Sequence, residues 1–215
     1  MTDLIASLLD SPVLPRIVAR LQHVLAEEAE RRAQFYSDLH PDVSAEFING
    51  EVVTQGPWRE RHIRCVGMML TILSTYVQVH KLGRVTAESL TAFTRNDYEP
   101  DLCFFGRDKA ARITPDTLIF PVPDLAVEVL SESTERRDRG VKFEDYAAHG
   151  VAEYWIVDPV AETVEQYVLS GETYALRMKS ANGRLAAVAV EDFEVDVRAL
   201  FDTHANLAAL RAIPA

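Results

Sequence analysis

Cysteine is almost missing from this chain of 215 residues: Cys65 and Cys103 are the only two, far apart and each inside an apolar stretch. Neither a disulfide framework nor a cysteine-built zinc site can be made from them, and a reducing compartment is the natural setting. Long hydrophobic runs are lacking too. The most apolar stretch, Cys65 to Val79, contains Thr71, Ser74, Thr75 and Gln78 and is shorter than a bilayer span. The opening MTDLIASLLD has acidic residues where a secretory leader needs positive charge. A cytoplasmic location with no membrane partner is therefore expected. Positive charge is scarce as well, since 22 Lys and Arg face 33 Asp and Glu for a formal net charge of −11. The molecule as a whole repels a polyanion, so any nucleic acid must bind weakly through a local basic face.

Several chemistries are excluded by motif. The chain has no Walker loop, no G-x-G-x-x-G, no G-x-S-x-G and no H-E-x-x-H. Its histidines, His23, His40, His62, His80, His149 and His204, include no pair at the i, i+2 or i, i+4 spacing that seats a metal on one element.

What is present is an ordinary globular pattern, 48% hydrophobic and 26% charged. Residues 14–36 read as a helix, with Ile17, Leu21, Val24 and Leu25 at helical spacing. EFINGEVV predicts a hairpin over 45–54, turned at Asn49-Gly50. A buried helix is expected from Trp58 to Lys81, ended by Gly83, followed by strands over 84–95, 99–106 and 123–131. The last of these, DLAVEVLS, is apolar on both faces like a central strand. A helix over 138–149 stopped by Gly150, a strand at EYWIVDP and hairpins through TVEQYVLS, ETYALRMKS and RLAAVAV complete the order, with FEVDVRALF as a short docking helix. The expected architecture is α/β, a mixed sheet flanked by helices, with an N-terminal helical extension over 1–43, one domain over 44–215 and C-terminal antiparallel hairpins.

Acidic groups inside strands stand out, because a desolvated carboxylate needs a partner or a metal. Asp101 follows Pro100 and opens LCFF, Glu128 sits mid-strand, and Glu88 lies in VTAESLTAF. If their strands are neighbours, Asp101 and Glu128 converge on one hard cation, Mg²⁺ or Mn²⁺, which favours a phosphodiester as substrate. Lys142 shares a helix face with Tyr146 and His149 and could reach back towards Glu128 to steady phosphate charge; a solvated lysine paired with Glu135, Asp138 or Glu144 is the plainer alternative. Glu46 and Glu88 could add a metal ligand or pair with Arg59, Arg61, Arg64 or Arg84. His62 reads as a structural histidine, Asp124 as structural, and Tyr146, Tyr154 and Trp155 as core. Arg59, Arg61 and Arg64, or the cluster of Arg136, Arg137 and Arg139, are the candidate phosphate contacts.

Pro100-Asp101 followed by Glu128, in the order helix, three strands, helix, strand, resembles the PD-(D/E)XK nuclease pattern of restriction-endonuclease-like folds. More narrowly, EFINGEVV, EPDLCFF, PDLAVEVLSEST, RRDRGVKFEDYAAHGVAEYWIVDP and FEVDVRALF resemble the Uma-type restriction endonuclease family of bacteria over roughly residues 44–201. The resemblance implies metal-binding roles for Asp101 and Glu128 and a catalytic lysine. Leu130 stands where the pattern has that lysine, so its role passes to Lys142, in D-x-x-x-K spacing from Asp138. The function implied is Mg²⁺-dependent hydrolysis of DNA by Asp101, Glu128 and Lys142 in a homo-oligomer, a dimer. A module on the same fold that binds nucleic acid or protein without cleaving is the alternative, and a hydrolase of small phosphoesters is a third reading.

Overall fold

The computed structural model of the protein describes residues 2–40 and 43–214. The chain begins with α1 (Thr2–Leu9) and α2 (Leu14–Ser37). Only the C-terminal half of α2 lies on the rest of the molecule. There Phe35 stacks on Phe47 with ring centroids 5.8 Å apart. Beside it the Arg32 guanidinium donates to both oxygens of the fully buried Asp97 carboxylate (2.7 and 2.5 Å), and the Tyr36 hydroxyl donates to Asp97 as well. Towards the N-terminus of α2, Val18, Leu21 and Leu25 remain exposed.

The hairpin of β1 (Ala45–Ile48) and β2 (Glu51–Thr54) closes where the sequence calls for it. Asn49 and Gly50 both take positive φ, 52° and 84°, as a type I′ turn demands. Next comes α3 (Glu60–Val79), which buries Cys65, Met69, Ile72, Leu73 and Val77 at i, i+3 and i+4 spacing. Lys81, at φ 55°, turns the chain out of this helix into β3 (Gly83–Ala87). Gly83 itself lies so close to the Phe105 carbonyl that a Cβ would stand 2.0 Å from the oxygen, a contact no other residue could make.

The strand expected over 84–95 is two strands. β3 stops at Ala87, Glu88 takes φ 45°, and the chain leaves for a second sheet through β4 (Thr91–Ala92) and β5 (Asp97–Tyr98). β6 (Leu102–Gly106) starts beyond Pro100, and the short helix α4 (Arg107–Ala110) follows. β7 (Leu125–Val129) is the central strand anticipated from DLAVEVLS, buried throughout.

The single helix expected over 138–149 is broken. Gly140, at φ −116° and ψ −104°, separates α5 (Glu135–Asp138) from α6 (Val141–Ala148). β8 (Glu153–Asp158), β9 (Thr163–Ser170) and β10 (Thr173–Ser180) follow, the last two as an antiparallel hairpin. RLAAVAV yields only β11 (Arg184–Ala186), which pairs not with β10 but with β12 (Glu194–Asp196). FEVDVRALF is thus half strand, half a 3₁₀ turn at Val197–Leu200, and α7 (Thr203–Ala212) closes the chain.

Six strands form one mixed sheet in the order β10-β9-β8-β7-β6-β3, parallel between β7 and β8 and antiparallel elsewhere. On one face, Leu125, Val127 and Val129 pack with α3 and the C-terminal elements into the largest core. On the other, Ala126 and Ile156 meet Tyr146 and Tyr154, together with Ile48, Phe93 and Tyr98 from the four-stranded sheet β2-β1-β5-β4. Among the described residues no helix is long and apolar enough to cross a membrane.

Candidate active site

Glu128 points to this second face because side chains alternate along β7. It is 4% exposed. The ladder between β6 and β7 pairs Leu102 with Val127, and one step further its register sets Asp101 across from Glu128 on the same face. Asp101 is pinned from two sides. Its Oδ2 accepts the Val129 N–H at 2.6 Å, and its Oδ1 lies 3.0 Å from Nε2 of the buried His62, which reaches in from the first turn of α3.

Lys142, in the first turn of α6, enters the same place from above the sheet. Its Nζ is 2.8 Å from Glu128 Oε1, 2.8 Å from Glu46 Oε1 and 3.4 Å from Asp138 Oδ1. The Tyr146 hydroxyl, one turn along, donates to the same Glu128 Oε1 at 2.8 Å. Tyr98 offers its ring face to the ammonium at 5.9 Å. Burial opposes the charge on Lys142, but the carboxylates of Glu128, Glu46 and Asp138 outweigh it and hold the ammonium protonated well above the ordinary lysine range.

One ammonium therefore faces a buried excess of acid. Burial pushes the Glu128 carboxyl up; Lys142 opposes the shift, while Asp138, Asp101 and Glu46 add to it. Asp138 is shifted the same way, also chiefly by burial. Both of its carboxylate oxygens are buried without a hydrogen-bond partner. A nearby group, Glu99, is raised to about 7 by burial, against the bond from the Ser44 hydroxyl and with the charges of Glu46 and Glu88 adding.

The structure thus brings Asp101, Glu128 and Lys142 together and joins Glu46 to them, whereas Glu88 is exposed and gives only its N–H, to the Asp101 carbonyl. Tyr146, read as core packing, also holds Glu128. Asp138, at the end of α5, enters the site one turn before Lys142, and its i, i+4 spacing to that lysine was the available signal. Asp124 serves structure, accepting the Gly106 N–H and pairing with Lys109. Of the candidate phosphate contacts, Arg64 donates to the Phe201 carbonyl and Arg139 forks onto Glu165. Arg59 and Arg61 instead line a cleft of about 340 Å³ that begins at His62.

A family model named Uma2, described as "Putative restriction endonuclease", matches residues 27–198. Among solved structures, the crystal structure of a "putative nuclease belonging to DUF820" from Anabaena variabilis superposes with a TM-score of 0.67 at 18% identity, covering 78% of this chain and 94% of that one. At that identity the likeness is one of fold. No curated protein matches.

Proposed function

The chain belongs to the Uma2 family, and from that premise we propose that it is a metal-dependent endonuclease that hydrolyses DNA phosphodiester bonds. The observation that carries the reading is the meeting of Asp101, Glu128 and Lys142, from neighbouring strands and a helix, in one buried pocket of excess negative charge. The donor chemistry suits a hard divalent cation, since the groups are carboxylate oxygens that outnumber the single ammonium and those of Asp138 accept no hydrogen bond, although among the described residues no three such side chains are already gathered as a ligand set. Asp101 and Glu128 would hold Mg²⁺ (or Mn²⁺), with Asp138 as a further oxygen donor. When bound, such a cation lowers the pKa of a water and neutralises charge on the scissile phosphate.

The remaining work falls to the chain's own groups. His62 and the Val129 N–H fix both oxygens of Asp101, while Tyr146 fixes Oε1 of Glu128. Lys142 is a preorganised positive charge beside Glu128, suited to negative charge developing on phosphate. Arg59 and Arg61 lie in the adjoining cleft, where flanking phosphates would be met.

A non-catalytic module on this fold is the second reading, favoured by Leu130 at the usual lysine position. One assay separates the two. Supercoiled and single-stranded circular DNA are incubated with Mg²⁺, Mn²⁺ or EDTA, with Glu128→Ala beside the wild type. Cation-dependent breakage lost in the variant supports the endonuclease; no breakage under any condition, or breakage by the variant at the wild-type rate, rejects it.

A further inference from the structure

The carboxylates of the site are sealed off, with Glu46, Asp101, Glu128 and Asp138 no more than 6% exposed. His62, itself buried, touches Asp101 with its Nε2, and its ring lies against Trp58 at a centroid distance of 4.1 Å and an interplanar angle of 3°. Trp58, Arg59, Arg61, His62, Leu130 and Pro159 are among the residues that line the 340 Å³ cleft. Leu130 lies two residues past Glu128 on the same strand course, so this wall of the cleft adjoins the site. The volume is at the small end of the ~300–1,000 Å³ of ligand sites. It suits one nucleotide rather than the breadth of a base-paired duplex.

The charges on the rim agree with a short occupant. Glu132, Glu135 and Asp158 edge the same cleft. Glu135 is paired with Arg139 at 3.0 Å, and Asp158 accepts the N–H groups of Val160 and Ala161. Glu132 stands 3.7 Å from Arg59 with both side chains largely exposed, a contact too weak to hold the arginine. Such a rim repels a long run of phosphates yet leaves Arg59 and Arg61 able to meet one or two. Apolar walls with one indole are the ordinary means of binding an unstacked base without reading its sequence.

We propose that this cleft seats a single unpaired nucleotide of a DNA strand, its base on the Trp58 indole and its phosphates on Arg59 and Arg61, so that the substrate is single-stranded DNA or an unpaired end. The proposal rests on the nuclease reading of the adjoining site and adds the substrate class. A duplex would have to unpair to enter, at a cost least for strands already single.

Trp58 and Trp155 are the only tryptophans, and Trp155 is 2% exposed in the core, so emission that responds to ligand reports Trp58. Oligothymidylate is titrated in EDTA into the wild type, Trp58→Ala and Trp58→Phe, beside a blunt duplex of equal length, with thermal melts of each protein. The oligonucleotide should quench wild-type emission, and Trp58→Ala should weaken its binding by about tenfold or more, whereas Trp58→Phe binds within about threefold but without the quench. The blunt duplex should bind more weakly and quench nothing. Equal affinity for blunt duplex, or unchanged binding by a folded Trp58→Ala, overturns the proposal. Should that variant fail to fold, the quench and the strand-versus-duplex ratio in the wild type decide alone. Strand binding without cleavage of any DNA would defeat the nuclease reading only, and equal cleavage of blunt duplex and single strands would defeat this proposal only.

Discussion

Lys142 Nζ and Glu128 Oε1 lie 2.8 Å apart, one on a helix and the other in the middle of a buried strand, and neither is more than 4% exposed. An ion pair so deeply desolvated is costly to break by removing one partner. Lys142→Met should therefore lower stability by about 3–5 kcal/mol, because Glu46, Glu128 and Asp138 are then left to one another. Denaturant unfolding checks this. Added Mg²⁺ should restore part of the loss, and a variant as stable as the wild type without cation would show that the carboxylates are not charged in the fold.

Glu99 gives a pH dependence of definite sign. Its carboxyl is raised from an ordinary 4.5 to about 7, so the folded chain holds a proton that the unfolded chain releases. That contribution to stability is fully present below pH 4.5 and is lost as pH rises through about 7. Unfolding midpoints measured without metal should fall across this window in the wild type, and Glu99→Gln should flatten the fall. An equal slope in the variant would assign the titration to another group.

The Arg32–Asp97 pair, at 2.5 Å, is the most buried of the polar ties that hold α2 on the small sheet, beside Glu28–Arg95 and the Arg31 bond to the Gly50 carbonyl. Asp97→Asn should cost roughly 3 kcal/mol. Hydrogen exchange should show faster amides in the C-terminal half of α2 and unchanged protection in α3; acceleration spread evenly over both would mean that α2 does not open separately.

Arg59 and Arg61, both on the cleft, should carry part of the salt dependence of DNA binding. Each phosphate contact contributes about 0.7–0.9 to the slope of log K against log salt. Changing both to Ala should reduce that slope by about 1–2, while Arg64→Ala, whose guanidinium is engaged with the Phe201 carbonyl, should change it little. Anisotropy titrations across salt concentrations give these slopes.

Much of the site was legible because its signals are local. DLAVEVLS announces a strand buried on both faces, and an acid within it demands a partner, which led to Glu128. Yet the same criterion points equally to Glu153 and Glu165, and both are accounted for by structure. Glu153 accepts from the Trp155 indole, Gln166 and the Val188 and Ala189 N–H groups, and Glu165 is forked by Arg139. Only tertiary contacts separate these acids from Glu128. Glu46 stayed open between metal ligand and arginine partner because a four-residue hairpin strand shows no face of its own in sequence; β1 is buried at every position because Ala45 and Phe47 pack with Phe35 of α2 while Ile48 packs towards Tyr146 and Glu46 meets Lys142 of α6. Asp138 escaped because an acid four residues before a lysine reads equally as a solvated surface ion pair, and only the fold shows both side chains buried. Helix α7 was missed where THANLAALRA carries a weak apolar stripe, and its Asp202 cap, accepting the Ala205 N–H, was the readable sign.

Glu128 would ligate the cation, whereas Lys142 cannot and would act on the phosphate alone. The most direct test is Mn²⁺ affinity by calorimetry and DNA cleavage rate, measured on the same preparations of wild type, Glu128→Gln and Lys142→Ala. The wild type should bind and cleave, Glu128→Gln should do neither, and Lys142→Ala should bind while cleaving about 10²–10³-fold more slowly. Cleavage by Glu128→Gln at the wild-type rate, or cation binding untouched by that change, would contradict the account.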